Sequence, residues 1–227
     1  FFLAGNLANV DHADVVVELH REYLQAGADA VTTNNFVSVP SVLDGFGLGH
    51  RFPELTRAAG ECARRAVDQH AKLSGRLALV IGSLPPLTAC YLPDLVGSVD
   101  EMRVTYSELV RHLEPYVDIF LAETLSTSRE AVAALGAVVQ HSAKPMWVSW
   151  TLQDSLEGKL RGGEALADAA AALLGQQGAG RVEALLLNCC APQAAAAALP
   201  ALRAALPPAL RVGAYANAFC RSTSEWL

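Results

Sequence analysis

Asn188, Cys189 and Cys190 stand together at the end of an unbroken apolar run that begins at Glu183. Such a run reads as a strand buried on both faces of a parallel sheet, so these groups would project from its carboxyl end. A thiol placed there can become a thiolate and bind a metal ion, the role expected of Cys189. Taken alone, the pair also fits two small buried hydrophobes. Cys190 would point the other way along the strand and pack against a helix. Glu123-Thr124 closes a second apolar run, Thr33-Asn34-Asn35 a third and Ser149-Trp150 a fourth. Glu123 could hold a cation by a charge-assisted bond or cap a helix. Asn188 could bond backbone or orient a metal ligand.

These side chains need a scaffold that brings strand ends together. Strand-like runs recur at 30–36, 77–83, 117–124, 146–151, 183–190 and 210–217, separated by helical patterns at 54–72, 98–112, 127–140, 164–174 and 192–205. A further helix is expected at 14–25, capped by Asp11 or Asn9, with Val16, Leu19, Tyr23 and Leu24 on its apolar face and Gly27 as its stop. Ser98 with Glu101 and Thr127 with Glu130 have the spacing of capping boxes. Alternating strands and helices demand a parallel sheet. Each run is apolar first and polar last, which suits a barrel with one working face better than an open doubly wound sheet. Gly82 is expected to let a ligand or backbone approach closely, and the loop 84–97 is long enough to serve as a substrate lid.

Composition narrows the possibilities. At 227 residues and 52% hydrophobic content the chain can bury one large core. The net charge of −6, with Lys and Arg scattered, argues against a nucleic-acid partner. Apolar runs fall short of a membrane span, and Phe1-Phe2-Leu3-Ala4 lacks the basic flank of a secretory signal, so a soluble, cytoplasmic protein is expected. Five cysteines, an odd number in a chain of this size, fit a reducing compartment. The histidines show no HxH or HExxH spacing, which argues against a histidine metal site. Gly45-Phe46-Gly47-Leu48-Gly49 follows no strand directly, so it is not read as a dinucleotide loop.

Seven short words in order carry a resemblance. They are His20 to Leu24 with Ala26-Gly27-Ala28-Asp29, Thr33-Asn34-Asn35-Phe36, Gly82-Ser83-Leu84-Pro85-Pro86, Glu123-Thr124, Val148-Ser149, Asn188-Cys189-Cys190-Ala191-Pro192 and Tyr215-Ala216-Asn217. Over essentially the whole chain these resemble the homocysteine S-methyltransferase domain, a zinc-dependent (β/α)8 TIM barrel. The resemblance implies an α/β barrel with six of its eight strands represented here. It implies a Zn2+ ion held by one cysteine at strand six, matching Cys189, and by two adjacent cysteines of a Gly-Gly-Cys-Cys word at strand eight. Glu123 would hold the amino group of homocysteine, with Thr33, Asn34 and Ser149 also against the substrate and Asn188 behind the zinc ligand. Asn35 and Ala216 stand where threonine and proline are commoner, a difference that bears on substrate shape.

The family's first strand, with its Asp-Gly-Gly word, and its eighth have no counterpart here. Six strands cannot close an eight-stranded barrel, so the residues are expected to belong to a longer polypeptide or to lack segments. Cys220, in a loop-like stretch, is not expected to replace the missing pair, and Cys62 and Cys90 still less. The implied partners are homocysteine and a small methyl donor, with methionine as product. A compact domain favours S-methylmethionine or S-adenosylmethionine; betaine or methyltetrahydrofolate would suit a longer chain. The alternatives are a barrel lyase or aldolase, disfavoured because Lys72, Lys144 and Lys159 lie outside strand ends, and a non-catalytic thiol-binding barrel without a complete zinc site. Oligomeric state is not readable.

Overall fold

A computed structural model describes residues 2–88 and 90–217. Six strands form one sheet in the order of the chain: β1 (Ala30–Thr32), β2 (Leu79–Leu84), β3 (Ile119–Leu125), β4 (Met146–Trp150), β5 (Val182–Asn188) and β6 (Arg211–Tyr215). Every neighbouring pair is parallel, and helices occupy each return, so all carboxyl ends fall on one rim. This is most of a TIM barrel wall, with β1 and β6 at its two margins.

Helices α1 (Phe2–Asp11), α2 (Ala13–Gln25), α3 (Pro40–Asp44), α4 (Phe52–Ser74), α5 (Val99–Leu113), α6 (Ser128–His141), α7 (Leu166–Leu174) and α8 (Pro192–Ala205) accompany the sheet. A large core fills the space between, with Trp150, Tyr106 and Phe120 among its largest fully buried side chains, and a smaller cluster of Val16, Val17, Cys62 and Ala66 joins α2 to α4. Both expected capping boxes form: Ser98 accepts from the Glu101 backbone N–H, Thr127 accepts from that of Glu130, and each glutamate reaches back to its cap. None of the helices is long and apolar enough to cross a membrane, among the described residues.

Three local expectations are corrected. Helix α2 starts after His12, because Asn9 and Asp11 belong to α1, a helix whose sequence carries neither a cap nor a regular apolar stripe. The buried face of α2 is Val16, Val17 and Leu24; Leu19 and Tyr23 are exposed because β1 beside them is a marginal strand. Gly82 does not open onto a ligand. A Cβ there would lie 2.9 Å from Val117 Cγ1 and 3.3 Å from Phe120 Cδ1, so the glycine makes room for side chains of the neighbouring strand and the turn that leads into it. Cys190 is fully buried in the core.

The Thr127 cap sits beneath the rim, and buried Glu130 takes the N–H groups of Ser126 and Thr127 and the Thr127 hydroxyl, each at 2.9 Å. Thr127→Ala is expected to cost about 1–2 kcal/mol, seen in urea unfolding as a lower midpoint with an unchanged slope.

Candidate functional site at the sheet's carboxyl rim

Glu123 leaves β3 at the rim and is half-buried. Ser83, at the end of β2, donates to its Oε1 at 2.6 Å, and Tyr215, the last residue of β6, donates to its Oε2 at 2.9 Å. Among the described residues no Lys, Arg or His forms an ion pair with it, which leaves a carboxylate held by two hydroxyls and open to a cation. Burial pushes the Glu123 carboxyl above the ordinary range, opposed by the Ser83 and Tyr215 hydrogen bonds. Burial, then the charge of Glu123, holds the Tyr215 phenol well above its usual value. Ser149 lies within hydrogen-bonding reach of that phenol.

Asn188 is fully buried, and its carboxamide ties three strands together. Its Oδ1 accepts from the Thr124 N–H at 3.0 Å and from the Ser149 hydroxyl at 2.6 Å, and its Nδ2 donates to Thr124 Oγ1 at 2.8 Å. Thr124 in turn points its hydroxyl at Cys189 Sγ, 3.8 Å away. The Thr151 hydroxyl donates to the Cys189 carbonyl at 3.1 Å, and the Cys189 N–H donates to the Tyr215 carbonyl at 3.3 Å. Cys189 is therefore gripped from β3, β4 and β6 while its side chain stays partly accessible.

Three non-glycine residues have left-handed backbone among the described residues, and they converge here: Cys189 at φ 50°, Thr124 at φ 61° and Tyr91 at φ 67°. Left-handed backbone at residues with a Cβ is costly and collects at functional sites. Tyr91 comes from the loop expected to act as a lid. Its phenol faces the Cys189 side chain, and burial, followed by the charge of that sulfur, raises its pKa well above the phenol range. The Arg161 guanidinium carbon lies 5.4 Å from the Tyr91 ring centroid. Cys90 adjoins the same sulfur: burial, then Cys189, pushes its thiol up to about 11.

The remaining expected residues sit further round the rim. Thr33 donates to Asn35 Oδ1 at 2.6 Å and accepts from the Ser83 N–H at 3.0 Å, so it braces Ser83 against Glu123. Asn34 turns outward to α1, where its amide meets the Gly5 carbonyl at 2.7 Å and Asn9 Oδ1 at 3.2 Å. Asn9 returns a bond to the Asn34 carbonyl at 2.7 Å. Thus Glu123, Ser149, Asn188 and Cys189 share one network, Thr33 supports it, and Asn34 anchors a covering helix. Cys220 lies outside the described residues.

Comparison with known proteins now decides the lineage. Residues 3–226 match the family model for homocysteine S-methyltransferase. The chain belongs to the homocysteine S-methyltransferase family. Solved structures of the homocysteine methyltransferase MmuM from Escherichia coli share its fold. The metallated form superposes with a TM-score of 0.81 at 24% identity, covering 96% of this chain and 85% of that one. The apo form gives 0.72 at 23% identity, covering 95% and 84%. Methionine synthase of Mycobacterium tuberculosis (strain ATCC 25618 / H37Rv) is 33% identical over 134 residues, which are 58% of this chain but 11% of that protein.

For a family member, the metal question turns on the donor set. A tetrahedral zinc site needs several sulfur, nitrogen or oxygen donors around one point. Among the described residues no three of His, Cys, Asp and Glu are grouped to hold an ion, and the two thiols near the rim, Cys189 and Cys90, fall short of such a group. These residues do not hold zinc by themselves. Ser83, Tyr91, Thr124, Arg161 and Tyr215 were not singled out from sequence as site residues. Three of them, Ser83, Thr124 and Tyr215, lie inside words that ended strands, but nothing in the sequence marks the left-handed turn of Thr124 or the reach of Tyr91.

Two outcomes follow. Because folding raises the Glu123 pKa, its protonated form is favoured in the native state, so its stabilising contribution is present at low pH and lost as pH rises through the folded pKa. Glu123→Gln is expected to flatten the fall in unfolding free energy between acidic and neutral pH, measured by urea titration at several pH values. Asn188→Ala strips the buried Thr124 N–H of its acceptor and is expected to cost about 2–3 kcal/mol of stability, read by the same method.

Proposed function

We propose that the rim binds homocysteine and passes it a methyl group from a sulfonium donor, S-methylmethionine or S-adenosylmethionine, to give methionine. Family membership supports the reaction class. The observation that carries the assignment of residues is the pairing, within one hydrogen-bonded rim, of an accessible thiol at Cys189 with a carboxylate at Glu123 that has no cationic partner among the described residues. An amino acid bearing both a thiol and an ammonium group matches the two.

In this reading Glu123 holds the substrate ammonium by a charge-assisted bond, and the Ser83 and Tyr215 hydroxyls keep the carboxylate aimed inward. Desolvation makes the empty site poorly disposed to charge, and the incoming ammonium restores the carboxylate. Ser149 and Asn188 fix Thr124, and the Thr124 hydroxyl holds the Cys189 sulfur, which the Tyr91 phenol faces. The methyl transfer forms a carbon–sulfur bond to homocysteine and breaks the one in the donor, which leaves as a neutral thioether; the homocysteine thiol proton goes to solvent. Cys189 would supply one ligand to a zinc ion whose other donors come from outside the described residues. Such an ion, when bound, keeps the homocysteine sulfur in its nucleophilic thiolate form.

A second reading rests on the incomplete donor set among the described residues: a barrel that binds homocysteine without turning it over. The two separate in one experiment, methionine formation from homocysteine across the donor panel, with and without a zinc chelator, alongside direct homocysteine binding. Turnover with a sulfonium donor, lost on chelation and reduced at least about a hundredfold in Cys189→Ala, is the expected result. Binding without turnover would establish the second reading, and turnover indifferent to chelator would remove zinc from the scheme.

A further inference from the structure

At the opposite end of the sheet from the rim, the carboxyl ends of α2 and α4 enclose a groove of about 310 Å³ lined by Arg21, Leu24, Gln25, His70, Leu73, Ser74 and Arg76. Two of its polar atoms are buried and have no hydrogen-bond partner: Arg21 Nε and His70 Nε2. His70 is only 6% exposed. Buried polar groups are almost always satisfied, and an N–H left unpaired in a groove is a place for an acceptor. The other polar groups of the groove do not supply one. Ser74 Oγ gives its proton to the His70 carbonyl at 2.8 Å and accepts from the Arg76 N–H at 3.1 Å.

Helix carboxyl ends ordinarily repel anions through their unpaired carbonyls. Here four of those carbonyls are taken. Glu22, Tyr23 and Leu24 accept from the N–H groups of Ala26, Ala28 and Gly27, and Ala71 accepts from that of Gly75. Of the carboxylates, Glu18 meets one Arg21 Nη at 2.5 Å and Asp29 meets one Arg76 Nη at 3.3 Å, while each guanidinium has five N–H donors. The groove is therefore lined by two arginines, a buried imidazole and the apolar side chain of Leu73, which is 75% exposed.

We infer that this groove binds a small phosphomonoester, the phosphate between Arg21, His70 and Arg76 and the organic part against Leu73. Guanidinium forks match phosphate oxygens, and His70 Nε2 can donate to an oxygen or accept from a protonated one. The volume exceeds what a bare phosphate fills, which is why an organic substituent is assigned. The site lies at the end of the sheet opposite Glu123 and rests on observations separate from those behind the proposed methyl transfer.

The test is calorimetric titration of the full chain with glycerol 3-phosphate and with inorganic phosphate. Saturable binding of the monoester, tighter than that of inorganic phosphate, is expected. It should weaken about tenfold in Arg21→Gln and in Arg76→Gln and stay unchanged in Arg65→Gln, an exposed arginine elsewhere on α4. Circular dichroism establishes that each variant is folded. No saturable binding by the wild-type chain, binding that survives both groove substitutions, or inorganic phosphate binding as well as the monoester would each overturn the assignment.

Discussion

Polar groups carried into the rim of a parallel sheet must find partners there, because water is largely excluded and an orphaned amide or hydroxyl is costly. Asn188 is the point at which this constraint is met most fully. Fully buried at the end of β5, it reaches over β4 to the backbone of β3 and takes the Ser149 hydroxyl on the way. Three strands that otherwise share only ladder bonds are thereby locked in relative height. The placement of Cys189, one residue further on, follows from that lock.

The second half of the rim obeys the same rule with a charge in place of an amide. Thr33 braces the Ser83 backbone, Ser83 bonds Glu123, and Tyr215 closes the arc from the far margin of the sheet. Glu123 is the member whose satisfaction is conditional: its two hydroxyl donors oppose, without cancelling, the penalty of burial. Glu130, deeper in the fold, has instead three donors from the Ser126–Thr127 corner, its own helix cap, and serves architecture.

Much of this was legible from residue order. Apolar runs ending in polar words located all six strands, and the two S/T-x-x-E spacings located the starts of α5 and α6, because both signals are local. The placing of Glu123, Asn188 and Cys189 on the rim was legible for the same reason: a strand end is a position in sequence. What escaped were features set by tertiary contact. Helix α1 has no cap or stripe to announce it and is held by Asn34 and Ser38, which bond its Gly5, Asn6 and Asn9. Gly82 was misread because the side chains that need its missing Cβ, Val117 and Phe120, come from the neighbouring strand and the turn that leads into it. Tyr91 could not be foreseen over Cys189, since the path of its loop depends on the Arg161 turn about seventy residues on, whose N–H is fastened to the Thr151 carbonyl.

The two marginal strands carry a consequence of a different kind. On β1 the residues that bond β2 alternate with ones facing outward, and beside them Val15, Leu19 and Tyr23 are more than half exposed. Strand β6 is likewise accessible along most of its length. Among the described residues no strand pairs with the outer edge of either, and such an edge flanked by greasy side chains is a template for any extended peptide that drifts past. Concentrated solutions of these residues by themselves should accordingly self-associate margin to margin, and lysine or proline placed on β1 would be the natural way to keep them dispersed.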